Sequence, residues 1–161
     1  MKPFRNQKGF TLVELMVTVA VVAILLKLIG WGLSGATAEE DVRTAARRLE
    51  TVIQEGKALA YEKGVTHSLI FNPNKREYKL FRDDNGDGQR DPGEPWIRVE
   101  SLSSRVTISG NTFPVNGAGW RVLSIGNDGR PNGTLGTVTF QSSGNVSATV
   151  SVNILGRVYV Q

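Results

Sequence analysis

The chain has no cysteine among its 161 residues and one histidine, His67. Disulfides, thiol nucleophiles and cysteine-bound metals are excluded, and so is any paired-histidine catalytic or metal site. No Gly-x-Ser-x-Gly elbow and no phosphate-cradling glycine loop occurs, and no serine has a recognisable base partner. His67 lies in the strand-like stretch THSLIF, where a packed or surface role is expected. The expectation is a non-enzymatic chain with no required cofactor. Charge of one sign is also scarce. The formal net charge is +4, but Lys2, Arg5 and Lys8 fall within the first nine residues. Without them 16 basic residues face 15 acidic ones, a net +1. The excess therefore reads as a flank that orients a membrane segment, not as a polyanion-binding surface.

What is present is one long apolar run. Residues 10–33, FTLVELMVTVAVVAILLKLIGWGL, carry only Glu14 and Lys27 as charges. The run is long enough to cross a bilayer as a helix, with the basic flank on the cytoplasmic side. A secretory signal cut after Ala36-Thr37-Ala38, ahead of Glu39, is one reading, and a plain membrane anchor is another. Neither explains Glu14, because a carboxylate inside an apolar span is costly and usually functional.

Lys8-Gly9-Phe10-Thr11-Leu12-Val13-Glu14-Leu15 resembles the class III signal of type IV pilins and pseudopilins. The resemblance implies that a prepilin peptidase cleaves between Gly9 and Phe10 and methylates the new amine of Phe10. It also implies that Glu14, fifth in the cleaved chain, pairs with that amine on a neighbouring subunit. A buried carboxylate needs such a partner. The implied partners are the peptidase, other pilins or pseudopilins and inner-membrane lipid. The implied location is a single-pass inner-membrane protein with a cytoplasmic N-terminus and a periplasmic domain, later drawn into a filament. Where many members carry a proline, this chain has Gly30-Trp31-Gly32. Lys27 is expected to snorkel to the interface, and Trp31 suits an interfacial belt.

Residues 39–63 read as an amphipathic helix with Val42, Ala45, Ala46, Leu49, Val52, Ile53, Leu59 and Ala60 on one face and Gly64 as its cap. It either continues the apolar run as one helix of about 80 Å, at about 1.5 Å per residue, or is hinged from it at Gly30–Gly35. Beyond Gly64 the period becomes two. Strands are expected at 66–71, 77–82, 96–101, 105–109, 120–125, 137–141, 147–154 and 157–161. Turns are expected at Asn72-Pro73-Asn74, at Ser143-Gly144-Asn145 and through Gly126–Gly133, with a tight bend or bulge at Leu155-Gly156. Trp96 and Trp120 are read as packing the sheet. The expected fold is α+β, a pilin fold: a long N-terminal helix, transmembrane in one half and amphipathic in the other, packed on an antiparallel sheet domain. The expected parts are a leader at 1–9, a transmembrane helix at 10–35, an amphipathic helix at 36–64 and a β domain at 65–161. The order of elements and the closing GRVYV at 156–160 resemble the GspH/FimT group of minor pseudopilins and pilins. That implies a structural subunit of a type II secretion system or type IV pilus that initiates or caps a filament.

Two further motifs stand out. Residues 83–94, DDNGDGQRDPGE, fit the calcium-loop pattern D-x-[DN]-x-[DN]-G-x5-E. The candidate Ca²⁺ ligands are Asp83, Asn85, Asp87, Asp91, Glu94 and the Gln89 carbonyl, with Gly88 at the sharp turn. The flanks read as strands, not helices, so the alternative is a polar turn built from Asp, Asn and Gly. In some FimT-like pilins a C-terminal Gly-Arg-x-Arg motif is linked to DNA uptake. Here Gly156-Arg157-Val158-Tyr159 keeps Arg157 alone, and a charge near +1 disfavours nucleic-acid binding.

Overall fold

The computed structural model describes residues 10–72, 74–142 and 145–161, with backbone alone for residues 28–36. The leader with Gly9, the side chains of Gly30-Trp31-Gly32, and Pro73, Ser143 and Gly144 in the expected turns lie outside the described residues.

Helix α1, Leu12–Lys63, starts on a reciprocal cap. The Glu14 backbone N–H donates to the Thr11 hydroxyl oxygen (3.2 Å), and the Glu14 carboxylate accepts the Thr11 backbone N–H (3.1 Å) and hydroxyl (3.1 Å). Thr-x-x-Glu is a capping box, which satisfies helix-start donors that would otherwise lack partners. The helix ends at Gly64, whose φ of +66° and N–H bond to the Ala60 carbonyl (3.0 Å) make the expected cap. The chain separates into two contact units, Met1–Ala36 and Thr37–Gln161. In the first, the side chains from Phe10 to Lys27 are exposed. Among the described residues no helix is long and apolar enough to cross a membrane. The expected span runs on into residues whose side chains are not described.

The second unit contains the last turns of α1 and eight strands: β1 His67–Asn72, β2 Glu77–Arg82, β3 Trp96–Ser101, β4 Val106–Asn111, β5 Arg121–Ile125, β6 Gly136–Ser142, β7 Ser147–Val152 and β8 Val158–Val160. Every expected strand is present, but the expected single sheet is two. One has the order β3-β2-β1-β5 and the other β4-β6-β7-β8, and all their pairings are antiparallel. Alternation shows which side chains point inward; it does not show which strands share hydrogen bonds. Leu69, Phe71, Tyr78, Leu80, Leu123 and Ile125 from the first sheet meet Val138, Phe140 and Val150 from the second under the α1 stripe of Val42, Ala46, Leu49 and Ile53. Each large side chain fully buried there contributes about 1.5–3 kcal/mol. Phe113, in the connection from β4 to β5, stacks on Phe71 at 5.6 Å.

The helix face differs from expectation at one point. Leu59 is half-buried, while Gly56 is buried. A Cβ on Gly56 would come within 3.1 Å of both Leu80 and Ile125, so the missing side chain leaves room for these two residues of the first sheet against the helix. Burial in β1 also extends to both faces of the strand. Leu69 and Phe71 point to the helix. On the other side Ser68 is buried against Asp83 of the connection from β2 to β3, and Asn72 is buried at the strand end beside Glu77 and Lys75.

Candidate functional site

Residues 83–95 connect β2 to β3 and fold back over the outer face of the first sheet. Asp83 is fully buried. Its Oδ1 accepts the Gly86 N–H (2.7 Å), and its Oδ2 accepts the Gly88 N–H (2.9 Å) and the Ser68 hydroxyl (2.6 Å). Ser68 and Ser124 share a further bond at 2.9 Å. Glu94, also buried, accepts the Asp84 N–H (2.7 Å) and the Asp91 N–H (2.8 Å) on its two oxygens. Asn85 Oδ1 accepts the Asp87 N–H, Asp87 Oδ1 accepts the Gln89 N–H, and Asn85 Nδ2 donates to Asp91. Gly86 and Gly88 take φ values of +74° and +72°, which glycine adopts without strain.

The Asp, Asn and Gly spacing therefore serves a turn network. Among the described residues no group of three or more His, Asp or Glu side chains is gathered as for a metal ion. Of the carboxylates named as Ca²⁺ ligands, Asp83, Asp87 and Glu94 accept backbone N–H groups and Asp91 accepts the Asn85 amide.

The network fixes where the loop lies. The Gly88 carbonyl accepts the Asn116 amide (2.6 Å), and a Cβ on Gly88 would meet Val122 and Ser124 at 3.3 Å. Asn116 Oδ1 in turn accepts the Ala118 and Trp120 N–H groups. The two loops wall a cleft of about 360 Å³ over β1 and β2, with Trp96 and Trp120 in its lining. Trp96 packs edge-on to Phe81, as a sheet-packing role predicts, but it stays 38% exposed. Arg90 and Lys79 sit over its ring at 4.8 and 5.2 Å.

The other expected residues are placed as follows. His67 is buried, with Nδ1 2.9 Å from the Val65 carbonyl, so it is the packed strand residue. Gly156 is buried in the β7–β8 turn at φ +71°, and its carbonyl accepts the Lys57 ammonium (2.7 Å). Arg157 is exposed, with its N–H on Asn153. Glu14 is exposed at the head of α1, and among the described residues its carboxylate is engaged with Thr11. Thr11 is the capping residue that the pattern reading passed over, although a Thr three places before a Glu at the head of an apolar run is itself a helix-start signal.

A family profile described as the prokaryotic N-terminal methylation motif matches residues 4–26, and one described as type II transport protein GspH matches residues 44–156. No curated protein sequence matches the chain. Among solved structures, the minor pseudopilin EpsH of the type 2 secretion system of Vibrio cholerae aligns with a TM-score of 0.55 and 12% identity, over 75% of this chain and 96% of that one. The type IV minor pilin FimU of Pseudomonas aeruginosa aligns with a TM-score of 0.55 and 14% identity, over 76% of this chain and 89% of that one. At such identities the likeness shows the fold: a helix packed on antiparallel sheets.

Proposed function

We propose, from the premise that this chain belongs to the type II transport protein GspH family, that it initiates or caps the filament of a type II secretion or type IV pilus machine. The role is structural and non-enzymatic. The observation that carries it is the pairing, on one chain, of a methylation motif at residues 4–26 with a GspH domain at residues 44–156. In this reading prepilin peptidase cuts between Gly9 and Phe10 and methylates Phe10. The apolar run anchors the subunit in the inner membrane with its domain in the periplasm, and α1 then packs among the helices of neighbouring subunits. The capped start of α1 supports this. It holds Glu14 exposed and within one helical turn of Phe10, next to the amine that cleavage creates. A carboxylate there is available to the amine of another subunit. Assembly should fail in a host lacking the chain and return when the chain is supplied. Normal filament number and normal secretion without it would remove the initiating or capping role.

A further inference from the structure

We propose that the cleft over β1 and β2 recognises a carboxylate-bearing segment of another protein chain, one in which an Asp, a Glu or a chain terminus lies beside an apolar side chain.

The first argument is charge. The acids of the surrounding loop accept hydrogen bonds from neutral donors and keep their charge, while the lining itself carries Lys75, Lys79 and Arg90 against Glu77 and Asp91. Asp83 and Glu94 are buried on backbone N–H groups. Asp91 accepts Asn85, and Glu77 holds Lys79 at 3.0 Å. Lys75 and Arg90, both exposed and both lining the cleft, have no carboxylate partner among the described residues. Among the lining residues the cations exceed the acids by one, and Lys75 and Arg90 are the two that hold no carboxylate.

The second argument is orientation. A guanidinium over an indole face gains from the ring quadrupole, and its in-plane N–H groups still point outward. Those donors form the planar fork that matches a carboxylate, and a side chain already held in place loses little freedom on binding. Trp96 is thus a platform for Arg90 and Lys79. Trp120 and Ile70 supply the apolar wall that suits a neighbouring aliphatic or aromatic side chain.

The third argument is rigidity. The bond between Asn116 and the Gly88 carbonyl fastens the two walls together. The volume of about 360 Å³ falls in the range of preformed small-ligand sites and suits a short segment rather than a folded face. This gives the acidic loop a purpose: its internal network sets Arg90 at the rim. The inference uses only the domain that contains β1 to β5. It does not depend on the filament role, so either reading stands if the other fails.

The test uses the full chain in detergent micelles, with empty micelles as the blank. A fluorescein-labelled Phe-Glu-Phe-Glu peptide should bind saturably by anisotropy. The neutral Phe-Gln-Phe-Gln analogue should bind at least about tenfold more weakly. The Lys75→Gln, Arg90→Gln double variant, altered only at exposed side chains, should keep its melting temperature and lose at least about tenfold in affinity for the acidic peptide. Equal binding of the two peptides, undiminished binding by the double variant, or no saturable binding would each overturn the proposal. Binding of oligogalacturonate without binding of the acidic peptide would overturn it in favour of an acidic sugar.

Discussion

A Glu14→Gln chain should insert and be processed normally, yet fail to enter filaments. The substitution is chosen to separate two roles. Glutamine at the third helical position still completes a capping box with Thr11, so the start of α1 is preserved. Only the charge is removed. If Glu14 pairs with the Phe10 amine of a neighbour, the variant leaves that amine unpaired in an apolar setting. Removing one partner of a buried ion pair costs about 3–5 kcal/mol. A cost of about 3 kcal/mol lowers incorporation roughly a hundredfold. Glu14→Ala removes both cap and charge and should fail as well. The informative outcome is the contrast: if Gln assembles normally while Ala does not, the cap is what assembly needs and the pairing is wrong. Incorporation is read by comparing sheared filaments with whole-cell levels of the same tagged chain.

Asp83→Ala should cost the β domain about 3–4 kcal/mol and lower its melting temperature by roughly 10 °C. The residue is fully buried and accepts three hydrogen bonds, from Gly86, Gly88 and Ser68. Truncation leaves those donors without an acceptor, and each buried unsatisfied donor costs about 1–3 kcal/mol. The total is below the sum because the loop relaxes. The same melts decide between a hydrogen-bonded loop and a Ca²⁺ site. With the network as described, the wild-type chain should melt at the same temperature in Ca²⁺ and in chelator. A site of about 10⁻⁴–10⁻³ M affinity, filled by Ca²⁺ in large excess, would instead raise the wild-type midpoint by several degrees, and Asp83→Ala would abolish the rise. A variant melting within about 2 °C of the wild type in both conditions would show that Asp83 bears little load.

Much of the fold was legible because its signals are local. Strands β2 and β3 fall on the expected residues, since turn residues bound their alternation on both sides. Strand β7 ends at Val152, two residues before the expected end, although alternation runs on through Ile154. The cause is Asn153, whose Oδ1 accepts the Leu155 and Arg157 N–H groups and turns the chain early. The division into two sheets was not legible. It rests on β5 returning to β1 and on β4 pairing with β6, contacts that no local pattern encodes.

The site divides in the same way. A calcium loop and a self-bonded turn both need Asp and Asn at alternate positions with Gly between, so one pattern serves both. What separates them is where the carboxylate oxygens point. Trp96 and Trp120 read as sheet packing because a strand pattern does not reveal a loop folding across the outer face. The capping box at Thr11 and Glu14 was legible throughout. It was outweighed there by the family signal that uses the same glutamate.

The decisive measurement is the intact mass and N-terminal residue of the mature protein isolated from its host. A chain beginning at methylated Phe10 is the expected result, and it would place Glu14 in the assembled subunit. A chain beginning at Glu39 would contradict the pilin-type reading. Glu14 would then belong to a discarded signal.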